Sequence, residues 1–118
     1  MRDIESIAAR CVLISFSTGF LQMAREQLPH QRIAVVADRW EHLAEPDVST
    51  LQPEYVFCDL DGLPETGMLR PPADARLVIY EVADGPLALR LAARGVDMVE
   101  TFACAEMLQF LLAASASI

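Results

Sequence analysis

Lysine is missing from this chain; all nine basic residues are arginine. That rules out lysine Schiff bases and the lysine of a phosphate-cradling loop. Histidine is nearly missing too. His30 and His42 are the only two, and neither is placed to activate a cysteine nucleophile. Cysteine is sparse and odd in number. Cys11, Cys58 and Cys104 each sit in an apolar segment, which predicts three buried, reduced thiols rather than a disulfide framework. Positive charge is short overall, with 17 acidic against 9 basic residues and a net charge of −8. Nucleic-acid backbones and anionic bilayer surfaces call for the opposite balance, so both are disfavoured as partners. Apolar runs long enough for a membrane span or signal peptide are also lacking. Residues 1–10 read as one or two amphipathic helical turns, and residues 107–114 as an apolar docking helix. A cytoplasmic location is the expectation.

What the chain has in excess is apolar side chain. Hydrophobic residues make up 53% of it, and the mean hydropathy of +0.30 is high for a small domain that must solvate its whole surface. Some of that area is predicted to face a partner or an identical subunit. The 118 residues fit a single domain, 1–118, with no internal repeat and no linker.

Five apolar, β-branched runs predict strands at 11–17, 32–38, 54–60, 76–82 and 97–101. Helices are predicted at 18–28, behind a Ser17/Thr18 cap, at 85–94 and at 104–114. Residues 39–53 predict two short helical turns, with Pro46 and Pro53 as breakers, and the proline-rich stretch 61–74 is mostly loop. The segment 75–101 is the most complete unit. Residues 77–82 read as a strand covered on both faces. Asp84 and Pro86 open a helix with Leu87 and Leu91 on one side, Gly95 ends it, and a second strand follows. This is a βαβ crossover, so the expected class is α/β with parallel strands.

The same words resemble a known family. Tyr80-Glu81-Val82-Ala83-Asp84, followed by Gly95-Val96-Asp97-Met98-Val99-Glu100-Thr101, is similar to the last barrel unit of the glycerophosphodiester phosphodiesterases. That unit reads Trp/Tyr-Thr-Val-Asn, a helix, then Gly-Val-Asp-x-Ile-x-Thr-Asp. Upstream, the Ser15-Phe16 strand, the helix ending Gln27-Leu28-Pro29 and the strand at 32–40 fall in the family's order. The resemblance covers about residues 11–108. It implies parallel β/α units resembling the C-terminal half of a TIM barrel, about five strands, in a lineage that hydrolyses glycerophosphodiesters in lipid metabolism. An open flavodoxin-like sheet is the alternative, since five β/α units of this length fill one. A half barrel leaves two strand edges and an inner face uncovered. A homo-oligomer, or a partner chain that completes the barrel, is therefore expected.

By the same resemblance, Phe16 and Tyr80 are substrate-binding aromatics that give the pocket an apolar wall; core packing is the competing reading of both. The family's His-Arg, Glu-x-Asp, His-Asp and Glu-x-Lys motifs, which imply magnesium or calcium and a proton-moving histidine pair, have no counterpart here. Glu81-Val82-Ala83 replaces Thr-Val-Asn, and Thr101-Phe102 replaces Thr-Asp. A phosphoric diester hydrolase inactive as an isolated chain is the implied activity, with a non-catalytic interaction module or phosphate-ester-binding module as the alternative.

Acidic residues offer two further readings. Asp59-Leu60-Asp61-Gly62 is similar to the first motif of the haloacid-dehalogenase phosphatases, whose first Asp is the nucleophile. Leu63 replaces that family's Thr, and no lysine follows, so an acidic strand-end turn is preferred. A receiver domain fits the length but not Phe16-Ser17 or Thr101-Phe102 at its acid and lysine positions. Asp38, Asp59, Asp61, Glu81, Asp84 and Glu100 all fall near strand carboxyl ends. Asp59, Asp61, Glu81 and Glu100 are the candidate ligands for a hard cation there, set against ordinary capping and turn roles. Trp40 beside Arg39 and His42 is a core plug or a small recognition patch.

Overall fold

The apolar runs become five strands in a computed structural model that describes residues 6–116. They are β1 (Val12–Ser15), β2 (Arg32–Ala37), β3 (Tyr55–Asp59), β4 (Arg76–Tyr80) and β5 (Met98–Glu100). All pair in parallel and in chain order, β1-β2-β3-β4-β5. The chain is thus an α/β fold built on one open, five-stranded parallel sheet. Strand order has no reversal of the 2-1-3-4-5 kind, the feature that sends helices to both faces of a doubly wound sheet. With right-handed crossovers, consecutive order sends every connection to one side.

The connections confirm that side. Helix α1 (Thr18–Gln27) joins β1 to β2. A 3₁₀ turn (Trp40–Ala44) and α2 (Pro46–Leu51) join β2 to β3, and α3 (Gly85–Ala93) joins β4 to β5. Leu21, Leu43, Val48 and Leu91 from these elements share one buried cluster with Ile33, Val35, Val56, Cys58, Leu77 and Ile79 from the strands. Those strand residues are alternate positions, so they lie on one face of the sheet. Helix α4 (Cys104–Ala116) follows β5 and packs beside α3, where Phe110 lies over Gly85. A Cβ on Gly85 would stand 2.3 Å from the Phe110 ring, so this close approach requires glycine.

Local chemistry explains where the elements stop and start. Ser17 Oγ accepts from the Phe20 amide at 3.1 Å and Asp84 Oδ2 from Leu87 at 2.9 Å, capping α1 and α3 as predicted. Gly95, at φ +107, ends the α3 turn. Pro46 behaves differently from its expected role as a breaker: it opens α2 at the first turn, where its missing N–H costs nothing. The β3–β4 connection has no α-helix. Arg94 holds it instead, donating to Gly67 O and Pro64 O, both at 2.7 Å, and Leu69 from this loop enters the core.

At the amino end of the sheet, one device occurs twice. Glu54 precedes β3 and accepts from the Ile33 amide of β2 at 2.8 Å, while Asp97 precedes β5 and accepts from the Leu77 amide of β4 at 2.8 Å. Each carboxylate satisfies a strand-end donor that would otherwise be unpaired. Arg25 adds a clamp from α1, donating to Leu51 O, Gln31 O and Glu54 Oε1.

The result is a slab rather than a ball, measuring 48 × 34 × 21 Å. Its radius of gyration is 16.0 Å, where a chain of this length packs to about 13.5 Å. The accessible surface, 7909 Å², is roughly a quarter more than the about 6,300 Å² of a folded monomer of this mass.

Candidate functional site

Among the described residues, the helices that cluster with the strands do so on one face of the sheet, and the second face is left bare of them. The residues alternating with the core set are Val12 and Ile14 (β1), Arg32, Ala34 and Val36 (β2), Tyr55, Phe57 and Asp59 (β3), Arg76, Val78 and Tyr80 (β4), and Met98 and Glu100 (β5). None belongs to the core cluster. Ala34 and Val78 are buried, whereas Ile14 and Met98 are 53% and 39% exposed. Residues 77–82, read from sequence as covered on both faces, are covered by helices on only one.

The pairing register sorts this face into three bands. Arg32 and Arg76 stand at the amino end. Apolar side chains fill the middle, with Val36, Phe57, Val78 and Met98 in one lateral row. Asp59, Tyr80 and Glu100 form the next row at the carboxyl end, where Asp59 pairs with Tyr80 and Tyr80 with Glu100. Asp38, just past β2, joins this end. The Tyr80 hydroxyl is pushed above its ordinary range, by burial first and then by Asp59, Asp38 and Glu100 among the charges around it. It donates to Ala37 O at 3.4 Å.

The proposed aromatic wall is not assembled. Phe16 lies beyond the end of β1, 68% exposed, and Tyr80 ends β4. Three strand spacings, about 14 Å, separate their strands. Two of the four proposed cation ligands, Asp59 and Glu81, are hydrogen-bonded to backbone amides. Asp59 Oδ1 accepts from the Asp61 amide at 2.9 Å, Glu81 accepts from the Phe102 amide at 2.8 and 3.1 Å, and Asp61 is exposed. Among the described residues no three His, Cys, Asp or Glu side chains are grouped to hold a metal ion. The residues present therefore do not fit the family's divalent metal.

Asp59-Leu60-Asp61-Gly62 has a structural role. It forms a 3₁₀ turn (Leu60–Gly62) capped by Asp59, and Leu60 packs on the core. Gly62 is needed because a Cβ there would lie 1.9 Å from Asp38 O. Trp40 also packs against the core, so it is a plug rather than a patch.

The carboxyl end is poorly suited to an anionic ester. Arg39 is spent on Glu41 at 2.8 Å and His42 lies 3.2 Å from Asp38; the Arg39 guanidinium holds the Glu41 carboxyl below its ordinary range. The small cavity of about 140 Å³ beside β1 and β2 includes Phe16, Thr18, Asp38, His42 and Glu45 in its wall. The helix-start amides of Phe20 and Leu87 are already taken by Ser17 and Asp84. A phosphate brought here would meet carboxylates before donors.

The cysteine reading needs correction. Cys58 is buried, but Cys11 and Cys104 are exposed, because the apolar segments holding them lie at the sheet edge and the outer start of α4. Burial raises the Cys58 thiol to about 11, and Asp59, Asp38 and Glu41 add to the shift. It is not a nucleophile at neutral pH. The sequence reached this face only through the half-barrel resemblance, which leaves an inner face uncovered, and not through the strand pattern. Its signal was available: in β2 and β4 both alternating sets are apolar, yet the crossovers supply only one layer of helices.

Compared with known protein families, curated proteins and solved structures, the chain matches none. Among the described residues no helix is long and apolar enough to cross a membrane.

Proposed function

We propose that this chain works by assembly rather than by turnover. In this reading it is the closing portion of a glycerophosphodiester phosphodiesterase-like barrel that has kept the β/α scaffold without the hydrolytic centre. Another polypeptide covers its bare sheet face. The observation that carries the reading is that face: five parallel strands in chain order, the core cluster of the described residues on the helix side, and on the other side an apolar band with Ile14 and Met98 exposed. Parallel sheets are otherwise covered on both sides. The consecutive strand order is also that of barrel units, which supports the lineage without requiring its chemistry. Three free cysteines fit a reducing, cytoplasmic compartment.

Catalysis is tested directly. The purified 118-residue chain, given glycerophosphocholine with magnesium or calcium, is expected to release no glycerol phosphate. Turnover that disappears in Asp59→Ala, Glu81→Ala or Glu100→Ala would overturn the reading, because it would place a working acidic centre in this chain.

A further inference from the structure

We infer that the polypeptide covering the bare face is a second copy of this chain, stacked face to face and inverted, so that the arginine end of each copy lies over the carboxylate end of the other. The inference rests on the assembly reading and names its partner. Three observations lead to it.

The first is area. The surface in excess of a compact monomer is on the order of 1,600 Å², more than the about 800 Å² that one partner contributes to a standard interface. The second is the banding of the face. Along β4, Arg76 and Tyr80 bound the face and are about 13 Å apart at the strand rise, with Val78 between them. Arg32 marks the same end as Arg76, and Glu100, Asp59 and Asp38 mark the end at Tyr80. The third is symmetry. A two-fold axis through the middle band makes the contact isologous, so each arginine–carboxylate contact occurs twice.

Stacking in the same direction would set carboxylates against carboxylates and arginines against arginines, which is strongly repulsive across an interface. Inversion removes both clashes and lets Val36, Phe57 and Met98, which share one lateral row, meet their own copies at about the 10 Å spacing of packed sheets. Each copy carries a net charge of −8, but charges beyond about 8 Å are largely screened at physiological salt. The facing ends decide the orientation. Arg32 also donates to the Ala9 carbonyl, which leaves its remaining N–H groups for the partner.

Sedimentation equilibrium of the full chain over a dilution series is the test, using charge reversals at exposed positions. The wild type is expected to dimerise. Arg32→Glu with Arg76→Glu, and separately Asp38→Arg with Glu100→Arg, should each weaken the dimer about 100-fold or more. All four changes together should restore it, because the reversed ends again match. Ile14→Glu with Met98→Glu should dissociate it without any change at the ends. Thermal melts followed by circular dichroism check that each variant folds.

Dimers that survive both reversals, or a quadruple variant as dissociated as its parents, would overturn the inference. So would dissociation by Leu108→Glu with Leu112→Glu but not by the face variants, since that would put the contact on the outer side of α4. A wild type monomeric at every concentration overturns it as well. Assembly with a different chain would survive that result and would fall only on turnover by this chain.

Discussion

The two faces of this sheet are made from the same five strands, one residue out of step, and they meet opposite surroundings. On the covered face Ile33, Val56, Leu77 and Ile79 are wholly excluded from solvent by α1, α2, α3 and the loops that join them. On the bare face the side chains are of similar character, with Ile14, Val36, Phe57, Val78 and Met98, yet among the described residues none of them joins the cluster packed under the helices. The difference comes from topology, not composition. Consecutive strand order spends all the crossovers on one side, so the covered face carries the monomer's stability and the bare one is free to act.

The widest separation between the faces is expected in unfolding. Leu77→Ala removes a fully buried side chain from the covered face and should cost about 2–5 kcal/mol. Ile14→Ala on the bare face should change the dilute monomer by no more than about 0.5 kcal/mol. Urea midpoints measured well below the association range compare them. Equal losses would mean that the bare face is packed in the monomer, and the contrast between the faces would be gone.

A smaller effect concerns how far the covered side extends. Helix α4 packs beside α3, with Met107 buried and Phe110 against Gly85. Gly85→Ala forces that ring aside at a cost of about 1–3 kcal/mol. Hydrogen exchange should quicken first in α4 amides and later in β2–β4. Uniform quickening would show that α4 belongs to the same cooperative unit as the strands rather than forming a second layer.

Much of this architecture was legible in the chain because local signals and tertiary demands agree. Ser17 and Asp84 cap the helices they were expected to cap, and Gly95 ends the helix it punctuates. All five apolar runs became strands, shortened by one to three residues where pairing stops. The bare face was not legible in the same way. A run such as Arg76-Leu77-Val78-Ile79-Tyr80 is apolar at both parities and reads as covered twice, and only strand order reveals that helices come from one side. The clamp from Arg25 was invisible because its partners, Gln31, Leu51 and Glu54, are brought together by pairing of β2 with β3. The cation candidates failed for a related reason. Placement near strand ends says nothing about where each carboxylate points, and Glu81 turns to the Phe102 amide.

Cysteine gives the finest test, since the three thiols sample different surroundings. Cys58 lies on the covered face with its thiol raised to about 11 from an ordinary 9.0, so the folded state resists losing that proton. Below pH 9 both states keep it and the shift contributes nothing. Between pH 9 and 11 the unfolded chain ionises while the folded one does not, so stability falls as pH rises, by about 1 kcal/mol at pH 10. Comparing wild type with Cys58→Ala at pH 8 and pH 10 reads this loss together with the part of the Tyr80 shift that the Cys58 charge adds, which has the same sign. The wild type should lose more on going to pH 10. A thiol reagent at pH 8 should meanwhile modify Cys11 and Cys104 promptly and Cys58 only on unfolding. Ready modification of Cys58 in the folded chain would mean that the helices over β3 open easily, and the covered face would then differ from the bare one in degree rather than in kind.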